Sequence, residues 1–318
     1  MKLNKKLLLI IIASIAVYSI FLILSDFNKL SEKFFDFKVE FLPIIVPLVT
    51  FGWLALYFRW TILLKNSGYV LPHRKNFQIF LSGFPLSITP GKVGELIKCQ
   101  LLKENFGTPR KITAPIILVE RLYNAVGIII ISIFGIWYFD FSAIVIMITA
   151  CILTVIFIAL RSKKLFTMLI NKVSKIKFLS KFSDSFIDSY DVINHSIKPK
   201  IFIICSVLSA IYWILESIAV YFILKSFGID LFEISDVILT YTTSIILGVA
   251  SLIPGGIGVS EGTLIGLLTI NGLTFSTAVS LTIFIRIFTL WYSVLVGFIA
   301  LKFTGAFSLN NSTVQKNS

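Results

Sequence analysis

Residues 237–270 read VILTYTTSIILGVASLIPGGIGVSEGTLIGLLTI, and the chain's architecture follows from this segment. It contains two apolar pieces separated by the break Pro254-Gly255-Gly256-Ile257-Gly258. The second piece, 262–270, is too short for a membrane span, which needs about 20 helical residues. Irregular backbone at membrane depth is tolerated only where it is buried in protein or lines a wet cavity. We therefore expect a re-entrant helical hairpin here.

A related motif occurs earlier in the chain. Segment 77–90, FQIFLSGFPLSITP, is also short and interrupted, and it runs into the motif Pro90-Gly91-x-x-Gly94-Glu95. The later motif similarly closes on Glu261. Arg121 follows Glu95 by 26 residues, and Arg286 follows Glu261 by 25. The spacing predicts an internal repeat, with 41–137 as the first copy and 201–302 as the second.

The composition is typical of an integral membrane protein. Apolar residues make up 57% of the chain and charged residues 14%, whereas soluble domains carry about 45–50% and about 25%. The net charge of +13 does not indicate nucleic-acid binding, because the Lys and Arg residues lie in short loops between apolar runs. We predict six full transmembrane helices, at 7–24, 41–64, 112–137, 142–160, 201–224 and 276–301.

The distribution of basic loops predicts the orientation of these spans. It predicts a multi-pass protein of the cell membrane with both the N- and the C-terminus in the cytoplasm. The first hairpin then enters the membrane from the cytoplasmic side and the second from outside. The predicted fold is all-α and polytopic, with six spans and two re-entrant hairpins arranged as an inverted repeat, a plan typical of transporters. We expect one membrane domain over 1–303 and a polar cytoplasmic tail over 304–318.

The one long polar stretch, 161–200, is rich in lysine and separates the two repeats. Apolar residues recur there at steps of three and four, which indicates a basic helix with one apolar face. It is either an interfacial helix on anionic headgroups or a plain solvated cytoplasmic linker.

Four charged residues are predicted inside spans: Glu120 and Arg121 in the third, Glu216 in the fifth and Arg286 in the last. A charge at the bilayer centre costs about 2.5–3.5 kcal/mol on insertion scales and usually marks a pathway. We expect the pairs Glu95–Arg121 and Glu261–Arg286. On this reading the arginines hold a lipid phosphate, while the carboxylates position them or carry a proton. The alternative is a set of structural ion pairs.

The two glycine breaks expose backbone N–H groups that suit an anion. The alternative is that they only reverse the chain direction. With the charged residues they form the predicted substrate site: Pro90, Gly91, Gly94, Glu95, Glu120, Arg121, Glu216, Pro254, Gly255, Gly256, Gly258, Glu261 and Arg286. Arg59, Lys92 and Lys98 are instead predicted to be headgroup anchors at the cytoplasmic interface.

No metal site, cofactor or catalytic residue is expected. The cysteines at 99, 151 and 205 are far apart, and both histidines lie in polar loops. The sequence shows no Walker loop, Gly-x-Ser-x-Gly or His-Glu-x-x-His motif.

Pro90-Gly91-x-x-Gly94-Glu95, Glu120-Arg121 and the 254–261 motif with Arg286 resemble the lysylphosphatidylglycerol synthase transmembrane region, or flippase-like, family. The resemblance covers about residues 5–303. It implies that Glu95, Arg121, Glu261 and Arg286 line a lipid route. The chain departs from the family at Asn124, where an acidic residue is common, and it lacks the soluble aminoacyltransferase domain of the family's synthases. An enzyme is therefore not the favoured expectation.

The leading hypothesis is a flippase that transports an anionic phospholipid or a lipid-linked polyprenyl phosphate. Its expected partners are membrane lipids, and self-association or a partner synthase stays open. The alternatives are a membrane-embedded transferase and an accessory subunit in lipid or glycan-lipid synthesis.

Overall fold

A computed structural model of the protein describes residues 36–89, 95–133, 140–173, 189–251 and 253–304. The predicted first span 7–24 lies outside these residues, as do Pro90, Gly91, Gly94 and the tail from residue 305. Regular secondary structure within the described ranges is entirely helical, so the all-α prediction is confirmed.

Each half contains a long helix, two short helices and a second long helix. In the first half these are α1 (Leu42–Asn66), α2 (His73–Leu81), α3 (Ile97–Phe106) and α4 (Arg110–Ser132). Between the halves lie α5 (Asp140–Arg161), α6 (Lys163–Val173) and α7 (Tyr190–Ser196). The second half has α8 (Pro199–Ser226), α9 (Ile234–Ala250), α10 (Val259–Ile270) and α11 (Phe275–Arg286), which continues through a π-helical turn, Ile287–Trp291, into α12 (Tyr292–Phe303).

Within the ranges that the structure describes, four helical segments are long and apolar enough to cross a membrane. They are Val39–Asn66, Arg110–Ser132, Pro199–Ser226 and Phe275–Phe303. Their outward faces carry exposed apolar side chains, including Phe51, Ile203 and Leu295, as a lipid-facing surface requires. Helix α5 carries a similar exposed apolar face. The multi-span helical architecture agrees with the sequence, and the total of six spans stays a prediction.

Both predicted hairpins are helical pairs interrupted by a break. In the first, the 3-10 turn Phe84–Leu86 follows α2, and α3 begins after Glu95 and Leu96. In the second, the 3-10 turn Pro254–Gly256 separates α9 from α10. Helix α10 has 12 residues and is therefore about 18 Å long, too short to cross about 30 Å of hydrocarbon. How the hairpins enter the membrane stays a prediction.

The contacts that each half makes with the other are equivalent. Helices α1 and α8, the first long helix of each half, pack along each other. Helix α12 of the second half packs on α2 and the Phe84–Leu86 turn of the first hairpin, and α4 of the first half packs on α9 of the second hairpin. Each final helix thus supports the other half's hairpin, as expected for a repeat with a twofold relation.

The two hairpin breaks also lie next to each other. A Cβ atom built on Gly255 would lie 3.6 Å from the Cα atom of Ile88. Gly255, Gly256 and Gly258 all have positive φ, at 64°, 66° and 87°, a backbone region that glycine adopts without steric cost. The glycines therefore permit a tight turn of the second hairpin against the first.

The polar region between the halves is described only in part. Helix α6 has Phe166 buried against Tyr190 of α7, with ring centroids 5.2 Å apart, while Leu165 and Met168 are exposed. The predicted basic helix is thus observed over Lys163–Val173, while 174–188 lie outside the described residues. Its contact with headgroups stays a prediction.

Candidate functional site

Five charged side chains of the first half form a continuous chain of alternating sign. Arg59 Nη2 lies 3.7 Å from Glu120 Oε1, and Lys98 Nζ lies 2.6 Å from Glu120 Oε2. Lys98 also lies 3.6 Å from Glu95, which pairs with Arg121. We call Arg59, Glu95, Lys98, Glu120 and Arg121 the first cluster. It contains three cations and two carboxylates, so cations stand at both ends of the chain.

Lys98 is the centre of this cluster and is fully buried. Its ammonium lies 4.4 Å from the centre of the Trp60 ring and 5.5 Å from that of Phe80, a geometry that stabilises a cation. Gly83 makes this position available, because a Cβ there would lie 3.1 Å from Lys98 Cδ. The prediction that Lys98 is an interfacial anchor is wrong, since its stem and its charge are both enclosed by protein.

Arg59 connects the first cluster to the second half. It is fully buried in α1 and donates from Nη1 to Asn124 Oδ1 at 2.6 Å and to Ser209 Oγ of α8 at 2.7 Å. Its predicted role as a headgroup anchor is therefore also wrong. Gly127 brings α4 and α8 together at this level, because a Cβ on it would lie 2.7 Å from the Ser209 backbone.

Arg121 is the accessible end of the cluster. Its side chain is 28% exposed, whereas those of the other four members are exposed by 6% or less. Its Nε has no hydrogen-bond partner among the residues that the structure describes. The pairing of Arg121 with Glu95 confirms the prediction from sequence and places the arginine beside the N-terminal end of α3.

The second half has an equivalent ion pair at its own break. Arg286 Nε lies 2.9 Å from Glu261 Oε1, which confirms the predicted pair. Glu261 Oε2 accepts a hydrogen bond from the backbone N–H of Gly258 at 2.7 Å. A carboxylate in the first turn of a helix satisfies an N–H group that has no helical partner. Glu261 therefore joins the turn, α10 and α11 through one side chain.

Glu216 lies in a different setting, in the middle of α8. It is buried and accepts a hydrogen bond from Tyr212 at 2.8 Å, and the buried Tyr241 hydroxyl also interacts with it. Tyr241 interacts in turn with Arg286 and Thr289. We call Glu216, Glu261 and Arg286, with the two tyrosines, the second cluster. Arg286 stands directly before the π-helical turn, a distortion frequent at functional sites.

The structure therefore brings six of the ten predicted site residues that it describes into the two clusters. Glu95, Glu120 and Arg121 lie in the first, and Glu216, Glu261 and Arg286 in the second, with Gly258 bound to Glu261. Within the described residues, no three His, Cys, Asp or Glu side chains stand together as a metal site would require. Binding of substrate by these residues stays a proposal.

Sequence reasoning missed Arg59 and Lys98 as members of the site. A signal for Lys98 was present, because it follows Glu95 by three residues and therefore shares its helix face. Arg59 lies within a long apolar run between Leu56 and Leu63, both of which are buried. Helical spacing places all three on one face, but apolar residues occupy the other faces of α1 as well, so only the fold shows that this face is buried.

Comparison with known proteins agrees with this architecture. Residues 11–297 match the family described as the lysylphosphatidylglycerol synthase TM region. A UPF0104 membrane protein of Methanothermobacter thermautotrophicus is 24% identical over 255 residues, which cover 71% of this chain and 72% of that protein. A UPF0104 membrane protein of Methanocaldococcus jannaschii is 26% identical over 216 residues, which cover 66% of this chain and 90% of that protein. The chain is an integral membrane protein that belongs to the lysylphosphatidylglycerol synthase TM region family.

Proposed function

We propose that this protein transports an anionic phospholipid or a lipid-linked polyprenyl phosphate across the cell membrane, and that the headgroup binds at the first cluster. The observation that carries the proposal is the cluster's charge: three buried or half-buried cations share two carboxylates. An uncompensated charge in a low-dielectric interior is strongly unfavourable. An anionic headgroup would balance it.

Arginine suits this ligand in particular. Its planar guanidinium offers two parallel N–H groups that match the oxygens of a phosphate. Arg121 is partly exposed while its pair with Glu95 is in place, so its guanidinium can contact a headgroup without giving up that pair. The preceding segment 90–94 adds two glycines and Lys92 and no acidic residue.

The arrangement of the two halves supports transport of the lipid across the membrane rather than lipid binding alone. Two helical hairpins with touching breaks, each supported by the final helix of the other half, correspond to the plan of transporters that alternate access around a central site. In the proposed topology the termini lie in the cytoplasm, and the hairpins enter from opposite sides of the membrane.

The test uses purified protein in liposomes with fluorescent phosphatidylglycerol and, in parallel, a fluorescent polyprenyl phosphate. Loss of fluorescence after addition of an impermeant quencher reports the lipid in the outer leaflet. We expect wild-type protein to equilibrate at least one probe between the leaflets and Arg121→Ala to slow this by at least about tenfold, the equivalent of about 1.4 kcal/mol.

The matched control is Arg161→Ala, which removes an exposed arginine at the end of α5 and is expected to transport at the wild-type rate. Thermal unfolding of each variant shows whether it is folded. Equal rates for wild type, Arg121→Ala and protein-free liposomes would contradict the proposal.

A further inference from the structure

We infer that the lipid reaches the first cluster laterally from the bilayer, across the outer face of α4, with its anionic headgroup bound by Arg121 and its hydrocarbon chain against Leu118. This inference rests on the proposed function, because it assigns the place where the same substrate enters. It is carried by two observations: the residues that form the outer face of α4, and the different exposure of the two arginines that the repeat relates.

One face of α4 is accessible from outside the protein over several helical turns. Its members recur at steps of three and four residues, so they share one side of the helix. They are Lys111, Ala114, Leu118, Arg121 and Ala125, and we call them the α4 outer face. Lys111 and Leu118 are exposed and the other three are half-buried. The opposite side of α4 is buried, for example at Ile116 and Tyr123.

This face lies inside a helix with the properties of a membrane span. Helix α4 has 23 residues and is long and apolar enough to cross a membrane. Leu118 and Arg121 are its ninth and twelfth residues, which places them about 12 Å and about 17 Å from its first residue. An exposed apolar side chain at that depth faces the hydrocarbon of the bilayer.

Arg121 is the exception within this apolar part of the face. Its side chain is 28% exposed in the middle of the helix, where an ionised group is costly unless it meets a partner. Glu95 contacts the guanidinium from the protein side. A phosphate that arrives from the lipid side would form charge-assisted hydrogen bonds with the exposed part of the guanidinium.

The face also offers a route from the membrane surface to Arg121. In the proposed topology Lys111 lies at the cytoplasmic end of α4, ten residues or about 15 Å before Arg121. A basic residue at the membrane surface attracts anionic lipids. The headgroup therefore meets Lys111 first and Arg121 deeper in the membrane, while Leu118 between them contacts the chain.

The second half is closed at the equivalent place. Arg286 is the twelfth residue of α11, as Arg121 is of α4, but its side chain is only 6% exposed. Ile283, three residues earlier, is half-buried and packs against the core, whereas Leu118 in the same position before Arg121 is 46% exposed. The lateral entrance is therefore specific to the first half.

A membrane lipid fits this surface better than a soluble anion or a protein helix. Leu96, next to Glu95 in the chain, is 39% exposed, so apolar surface adjoins the arginine–glutamate pair from both α4 and the start of α3. A soluble phosphate has no part that would contact these leucines. An apolar helix of a partner would bury the Arg121 guanidinium without an anion, which is unfavourable. A lipid supplies both the phosphate and the chain.

The first experiment measures which lipids contact the α4 outer face. A bimane fluorophore is attached to Leu118→Cys in full-length protein that lacks the native cysteines, and bromine atoms on lipid chains quench it on contact. The phosphatidylcholine vesicles contain an equal mole fraction of brominated phosphatidylglycerol, brominated polyprenyl phosphate or, as the reference, brominated phosphatidylcholine.

We expect at least one anionic lipid to quench bimane at position 118 at least about twofold more strongly than the reference, because a nearby basic residue favours anionic lipid severalfold. Arg121→Gln should remove this excess. The matched control is bimane on Ile203→Cys of α8, which is 62% exposed and follows the exposed Lys198 and Lys200. Any excess there reports lipid attracted by surface lysines and should not change with Arg121→Gln.

Two outcomes would assign the face to another occupant and overturn the inference. Displacement of the anionic lipid by an excess of glycerol phosphate would show that the site opens to water. Weak quenching of position 118 by all three brominated lipids, with strong quenching of position 203, would show that protein covers the face. Neither outcome depends on the folding of an Arg121 variant.

The fluorescent-lipid transport assay separates this inference from the proposed function. Transport of either probe by a protein that shows no anionic excess at position 118 would overturn lateral entry and leave the transport function standing. Excess quenching at position 118 without transport of either probe would retain the lipid site on α4 and overturn the transport function. Absence of both would overturn both.

Discussion

Arg286 Nε lies 2.9 Å from Glu261 Oε1, and this pair repeats the Arg121–Glu95 pair of the first half. Each arginine is the twelfth residue of its helix, in α11 and in α4. Each glutamate lies at or near the start of the described helical residues that follow a Pro-Gly motif of the sequence. The same ion pair therefore ties each hairpin to the long helix that follows it.

Breaking the second pair should destabilise the protein strongly. Glu261→Ala leaves the Arg286 guanidinium buried without this carboxylate and also removes the acceptor of the Gly258 N–H. Removal of one partner of a buried pair costs about 3–5 kcal/mol. We expect a clear fall in the midpoint of thermal unfolding in detergent, followed by tryptophan fluorescence.

The control is the double variant Glu261→Ala, Arg286→Met, which removes both charges. It should unfold at a higher temperature than Glu261→Ala alone, because no arginine is left without its carboxylate. If the double variant were the less stable of the two, the pair would not be the source of the stability.

The sequence was sufficient to predict these two pairs because the motif and its spacing occur twice. Repetition restricts which glutamate meets which arginine, even without coordinates. Arg59 and Lys98 occur once each, and their depth depends on packing between elements. The approach of Gly83 to Lys98 and the bond from Arg59 to Ser209 join residues distant along the chain, so only the fold reveals that both are enclosed.

Lys98 should be required for the integrity of the first cluster. Lys98→Met keeps the stem over Trp60 but leaves Glu95 and Glu120 close together with one cation fewer. We expect a loss of about 3–5 kcal/mol, seen as a lower unfolding midpoint in a fluorescence thermal melt. Lys103→Met changes an exposed lysine of the same helix and should unfold like the wild type.

A second substitution makes this prediction specific to charge. Glu120→Gln in the Lys98→Met background removes one of the two carboxylates and should recover part of the lost stability. Failure of Glu120→Gln to raise the midpoint would show that Lys98 acts through packing on Trp60 rather than through its charge.

The predicted inverted topology can be tested by labelling single cysteines. Val70 precedes the first hairpin and Glu104 lies in its last turn, and Leu231 and Asn271 flank the second; Val70, Glu104 and Leu231 are exposed. If the hairpins are re-entrant from opposite sides, cysteines at 70 and 104 react with an impermeant maleimide only from the cytoplasmic side. Those at 231 and 271 then react only from outside.

The background for this experiment replaces the three native cysteines with serine or alanine and must retain the wild-type unfolding midpoint. A hairpin that crosses the membrane completely would place its two flanking cysteines on opposite sides. Labelling of 70 and 104 from different sides would therefore rule out a re-entrant first hairpin, and the same comparison applies to 231 and 271.

The contact between the two halves should depend on Gly297 of α12. A Cβ at this position would lie 2.8 Å from the carbonyl oxygen of Leu81 and 2.9 Å from Phe84 Cβ, and it would also contact Pro85. These atoms belong to the end of α2 and to the following turn, where the backbone has little room to move. Overpacking of this kind costs about 1–3 kcal/mol, so Gly297→Ala should lower the unfolding midpoint.

Gly266→Ala in α10 is the matched control, because a Cβ there meets no atom within 4 Å. Replacing a helical glycine by alanine where there is space gains about 0.5–1 kcal/mol, so this variant should unfold at or above the wild-type temperature. The two substitutions are chemically identical and differ only in what the new methyl group meets. An unfolding midpoint for Gly297→Ala as high as that for Gly266→Ala would therefore mean that α12 does not pack on the first hairpin. The packing of α4 on the second hairpin would then have no counterpart in the other half.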